Sequence, residues 1–210
     1  RKVSKEDYKL QVPDLRAQLL NAQHELSETK STSVVIISGI DAAGRGDTIN
    51  TLSEWLDPRG LETISLNEPT DEERERPYFW RFWRQMPARG RMGVFFGGWY
   101  ADPIQQLSYR DINEAVFHES MTQIRRFENM LAKDNILTLK IWLHISKEEQ
   151  RKRLKEMEKN PYAKRSVSKR DWKNSKMYDR FINSTEHAIR KTDSGTSPWV
   201  IVEATDQRYR

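Results

Sequence analysis

The stretch Val34-Val35-Ile36-Ile37-Ser38-Gly39-Ile40-Asp41-Ala42-Ala43-Gly44-Arg45-Gly46 decides the reading of this chain. Its four leading residues are apolar and β-branched, as expected of a short strand buried on both faces. A glycine, four residues, a second glycine and a cation follow, and a helical pattern begins near residue 46. This is close to G-x-x-x-x-G-K-[ST], whose glycines let backbone N–H groups approach phosphate oxygens at a helix N-terminus. Two positions depart from it: Arg45 replaces the lysine, and Gly46 replaces the hydroxyl that meets magnesium. A planar guanidinium keeps the charge but is not interchangeable with a lysine point charge. The segment therefore reads either as a phosphate cradle of Gly39, Ala42, Ala43, Gly44 and Gly46 with Arg45 as its cation, or as a tight glycine turn. Asp41 is an awkward charge inside such a cradle unless magnesium is present. It reads as a metal-linked residue or as a turn cap.

Outward from the loop, short apolar runs at 34–38, 63–66, 93–96, 139–145 and 199–203 predict buried strands. Helical patterns at 12–29, 46–57, 72–85, 103–133, 147–158 and 170–191 separate them. Strands alternating with helices predict a parallel α/β sheet, because each parallel connection needs a crossover of about a dozen residues. Ser146 with Glu149 and Asp111 with Glu114 are spaced as helix-starting capping boxes.

The chain has 210 residues, a length that fits one domain better than two. Charged residues reach 32% against a usual ~25%, so the core must lie in a few concentrated segments. No apolar run approaches the ~18 residues of a membrane-spanning helix. The absence of cysteine excludes disulfides, thiolate metal sites and a cysteine nucleophile, and a cytoplasmic protein is expected. The chain opens on Arg1 without a signal segment, which suggests a piece of a longer protein. The net charge of +5 is unevenly placed: residues 151–176 hold eleven Lys/Arg against three Asp/Glu, so the remainder is net acidic. Pro161, Ser166 and Ser168 interrupt this block, as in a loop or lid between helices. A solvated face is the alternative.

Gly39 to Gly46 resembles the G-x-D-A-A-G-K-G loop of type-2 polyphosphate kinases, which move phosphoryl groups between polyphosphate and nucleotides. The resemblance continues through residues 77–84, Trp99-Tyr100, 139–150, 171–175 and 197–204, in order across nearly the whole chain. It implies a P-loop kinase-like three-layer fold with a five-stranded, thymidylate-kinase-like parallel sheet, and a basic helical lid at about 151–176. Lys152, Arg153, Lys164, Arg165, Lys169, Arg170 and Lys173 would then contact polyphosphate. It also implies magnesium, with Asp41 as the metal-linked and catalytic carboxylate beside Arg45. The implied partners are polyphosphate, an adenine nucleotide and further copies of the chain, with no membrane and no specific nucleic acid.

One departure matters most. At the third strand the family reads F-D-R-S-W-Y-N-R, whereas this chain has Phe95-Phe96-Gly97-Gly98-Trp99-Tyr100-Ala101-Asp102. A metal aspartate becomes Phe96, one arginine Gly97 and another Asp102. Phosphoryl transfer depends on positioning and charge neutralisation, so these changes remove much of the chemistry. The pattern resembles the degenerate amino-terminal half of tandem polyphosphate:AMP phosphotransferases, with a fused second kinase-like domain. The expected function is polyphosphate-dependent transfer to nucleotides with this domain impaired. The alternative is a non-catalytic polyanion-binding domain supporting an active partner. A conventional nucleoside-monophosphate kinase would keep the loop lysine and hydroxyl.

Tyr78 to Arg84 interleaves aromatics with arginines. It reads as a helix with packed aromatics and with Arg81 and Arg84 facing cleft or solvent, or as a surface that stacks on bases. His118 and His144 lack partners at metal spacing and read as structural, and His187 beside Glu186 has no triad geometry readable from sequence.

Overall fold

The computed structural model describes residues 1–66, 68–161 and 167–210. Its strands are β1 (Thr32–Gly39), β2 (Leu61–Ile64), β3 (Met92–Phe96), β4 (Ile136–His144) and β5 (Trp199–Glu203). They form one five-stranded sheet in the order β2-β3-β1-β4-β5, every pair parallel. The central strand β1 carries the run expected to be buried on both faces, and Val34, Ile36 and Ile37 are fully enclosed.

The helices are α1 (Lys5–Ser27), α2 (Arg45–Trp55), the single turns α3 (Asp71–Arg74) and α4 (Trp80–Trp83), α5 (Ala101–Tyr109), α6 (Glu114–Lys133), α7 (Lys147–Lys159), α8 (Lys169–Lys176) and α9 (Tyr178–Thr192). α2 packs on β1 and β3 with α1 against it, while α5, α6 and α9 pack together and α6 lies on β4. α6 buries Phe117, Met121, Ile124, Phe127 and Leu131 along one stripe. Each such side chain contributes roughly 1.5–3 kcal/mol of transfer free energy.

Three long helical patterns are broken. The pattern over 72–85 divides into α3 and α4 around Pro77, whose ring cannot continue a helix. The pattern over 103–133 divides at Arg110, which takes a left-handed conformation with φ 66°. α6 then starts on Asn113, whose side chain accepts from the Val116 N–H at 3.0 Å, so Asp111 is not the cap. The pattern over 170–191 divides at Met177. Ser146 caps α7 as expected, but the Glu149 carboxylate turns to Arg153 at 2.8 Å.

Candidate phosphate-binding site

β1 ends by handing the chain to a loop that returns into α2, and the loop is anchored at both sides. Ile40 N–H donates to the Leu143 carbonyl at 3.2 Å and Ala43 N–H to the Ile40 carbonyl at 3.0 Å. A side chain at Gly39 would meet the Leu143 carbonyl oxygen at 2.5 Å, so only glycine lets β1 and β4 close here. α2 begins on Gly44 without a side-chain cap, which leaves its first-turn N–H groups facing the loop. These groups and the helix dipole make the loop an electropositive cup.

The charged groups inside the cup face one another. Arg45 Nη2 stands 2.8 Å from Asp41 Oδ1, and Asn174 Nδ2 of α8 donates to Asp41 Oδ2 at 2.7 Å. The Arg45 guanidinium lies 4.8 Å over the Phe96 ring at the end of β3. From α7, Arg153 donates to the Ala42 carbonyl at 3.1 Å and to the carbonyls of Ala204 and Thr205. Arg210 donates to the Ala43 carbonyl at 3.1 Å and to Asp47 at 3.2 Å. Beside the loop runs an open groove of about 740 Å³ that Arg45, Phe96, Arg153 and Arg210 help to line. A smaller cavity of about 110 Å³, lined in part by Ser38, Asp41, Tyr100, Trp142 and Asn174, lies under α8.

The basic residues of 151–176 divide. Arg153 reaches the loop, and Arg170 crosses the cleft to Glu68 at 3.1 Å and to Gln105. Lys173 instead covers the Tyr109 ring at 4.2 Å, Lys152 stays exposed 3.6 Å from Glu149, and Lys169 is exposed. Lys164 and Arg165 lie outside the described residues. The aromatic segment packs as one of its readings has it: Phe82 is buried and Phe79 stacks on Phe127 at 4.4 Å. Arg81, however, does not face solvent. It is buried, 3.6 Å from Glu73, with its guanidinium also near the Phe82 ring. Trp80 lies under the Arg76 and Arg84 guanidiniums.

Among the described residues no group of three or more Asp, Glu or His side chains could hold a metal ion. Both Asp41 oxygens already have partners, and β3 ends on a phenyl ring. Magnesium seeks oxygen ligands in near-octahedral array, so these donors, as they stand, do not fit a protein-built magnesium centre.

Sequence reasoning missed the polar network behind the cup. Lys140 on β4 is fully buried, 2.8 Å from Glu128 of α6, and also donates to Tyr100 Oη and the Thr192 carbonyl. Glu128 accepts from Trp99 Nε1 at 3.0 Å, Tyr100 Oη at 2.7 Å and Ser197 Oγ at 2.7 Å. Trp99-Tyr100 is thus held by one carboxylate. Burial pulls the Lys140 pKa down, opposed by Glu128, and pushes the Tyr100 phenol up. The available signal was a lysine inside an otherwise apolar strand and a glutamate on the apolar stripe of α6.

A parallel sheet of this order, with a glycine loop leading from its central strand into an uncapped helix N-terminus, defines a P-loop kinase-like fold. The chain belongs to the polyphosphate kinase 2 family, whose model matches residues 2–210. It is 43% identical over 209 residues to a polyphosphate:AMP phosphotransferase of Pseudomonas aeruginosa, an alignment covering 99% of this chain and 42% of that protein. To an AMP/ADP-polyphosphate phosphotransferase of Meiothermus ruber it is 32% identical over 184 residues, covering 88% of this chain and 69% of the relative. The crystal structure of polyphosphate kinase 2 from Arthrobacter aurescens superposes with a TM-score of 0.93 at 27% identity, covering 99% of this chain and 75% of that one. The chain therefore spans less than half the length of its Pseudomonas relative.

Proposed function

We propose that this chain is the polyanion-binding, catalytically impaired domain of a cytoplasmic enzyme that transfers phosphoryl groups from polyphosphate to an adenine nucleotide. In that reaction an acceptor phosphate oxygen bonds to the terminal phosphorus of the chain, and the shortened polyphosphate leaves with the electrons of the broken P–O bond. The family and the names of the relatives support the reaction class. The relative lengths support a fused second kinase-like domain, and assembly into homo-oligomers belongs to the same reading. Residues 151–176 act as the lid, with Arg153 and Arg170 its described contacts across the cleft. Any magnesium used in transfer would be carried by the phosphates of the substrates rather than held by this chain, and would supply charge neutralisation in the transfer step and not in binding.

The single observation that carries the impairment is Phe96. A ring stacked on Arg45 at 4.8 Å occupies the end of β3, where the family places a carboxylate. It offers no oxygen, and it lies against the loop cation instead. The test is transfer from polyphosphate to AMP or ADP with magnesium, followed as nucleotide product, for residues 1–210 and for Phe96→Asp with Gly97→Arg and Asp102→Arg. The wild-type chain is expected to show no robust turnover and the triple variant a partial gain. Recovery stays partial because Gly97 has φ 87°, strained for any side chain. Wild-type turnover comparable to an intact relative refutes the impairment. A complete absence of turnover in both proteins favours the purely binding role.

A further inference from the structure

The contacts of Asp41 lead beyond the question of turnover. We propose that the Asp41 carboxylate is a resident anion occupying the loop's own phosphate position, so that polyphosphate binds by displacing it and without magnesium. The proposal rests on the polyanion-binding reading above and deepens it.

Three observations converge. Both carboxylate oxygens are held, one by Arg45 at 2.8 Å and the other by Asn174 at 2.7 Å, as phosphate oxygens would be held by the same donors. A guanidinium takes carboxylate and phosphate oxygens with the same fork of N–H groups. Second, Arg45 stacks on the Phe96 ring, so a divalent cation at Asp41 would face a like charge, and among the described residues no group of three or more Asp, Glu or His side chains stands there to hold it. Third, Arg153 and Arg210 rest on the carbonyls of Ala42 and Ala43 and line the same groove, which places cations around Asp41. The nearby carboxylates are engaged elsewhere: Asp47 with Arg210 and Asp171 with Ser168. Asn174 also ties α8 to the loop through this carboxylate, so an entering anion would loosen α8.

If Asp41 were a metal ligand, removing its charge would weaken phosphate binding. As a resident anion it competes with phosphate, and removing its charge strengthens binding. The experiment measures fluorescent polyphosphate binding, in EDTA and in magnesium, to wild type, Asp41→Asn and the charge control Asp14→Asn on the exposed face of α1. Wild type is expected to bind in EDTA at least as tightly as in magnesium. Asp41→Asn is expected to bind about three- to tenfold tighter, as loss of one nearby like charge implies at a protein surface, and Asp14→Asn to match wild type. Weaker binding by Asp41→Asn, unchanged binding, or a magnesium requirement overturns the proposal while the polyanion reading stands. No binding by wild type or variant overturns both. Calorimetric titration of wild type and of Asp41→Asn with magnesium chloride alone gives a check that needs no polyphosphate. No heat of binding is expected, and a saturable magnesium site that Asp41→Asn abolishes overturns the proposal.

Discussion

Asp102 lies in the first turn of α5, and its carboxyl is partly buried. Burial raises its pKa above the ordinary carboxylate value; Arg81 and Arg170 pull it down, and Glu68 pushes it up. A carboxyl whose folded pKa lies above its unfolded one contributes stability that is full below the unfolded pKa and is lost as pH rises through the folded value. Charged Asp102 is therefore a net cost at neutral pH. In thermal melts Asp102→Asn should unfold at higher temperature than wild type near pH 7, with the gap closing toward about pH 4. A variant less stable than wild type at neutral pH contradicts this. The sequence shows Asp102 as a departure, because a residue change is visible in one dimension. It does not show that Glu128, Lys140, Tyr100 and Ser197 meet, because four separate segments of the chain have to pack before the other three side chains come within 3 Å of the Glu128 carboxylate.

Elements were legible where the pattern was strong and local. All five strands lie where the apolar runs predict, although β2 ends at Ile64 and β4 begins earlier, at Ile136. The helix boundaries were harder, because a 3.6-residue period continues across a single left-handed residue without losing its phase. Arg110 is such a residue, and the start of α6 passes to Asn113. Asn113→Ala should therefore cost about 1 kcal/mol of unfolding free energy in urea, while Asp111→Ala should stay within about 0.5 kcal/mol of wild type. The reverse order would restore Asp111 as the cap. In the candidate site, Gly39, Asp41, Arg45 and Arg153 were legible from the loop spacing and the charge block. The Phe96 stack and the Arg210 contact were not, since both depend on where β3 and the residues after β5 arrive in space.

Across the whole molecule, charge separates into a basic block over 151–176 and a net acidic remainder, and the fold brings Arg153 and Arg170 of that block to the cleft. A flexible phosphate chain on such a surface binds chiefly by releasing condensed counterions, so its affinity falls steeply with salt. Uniform net charge would act the same way wherever the cations lie, whereas a lid requires particular ones. The measurement that separates these is fluorescent polyphosphate binding across a salt series for wild type and two quintuple neutralisations. One removes the charges of Lys164, Arg165, Lys169, Arg170 and Lys173; the other removes those of Lys2, Lys5, Arg16, Lys30 and Lys133. The first variant should lose far more affinity and show a flatter salt dependence, by close to one unit of slope for each phosphate contact removed. Equal losses in the two variants would contradict the account and leave the block as a solvated face.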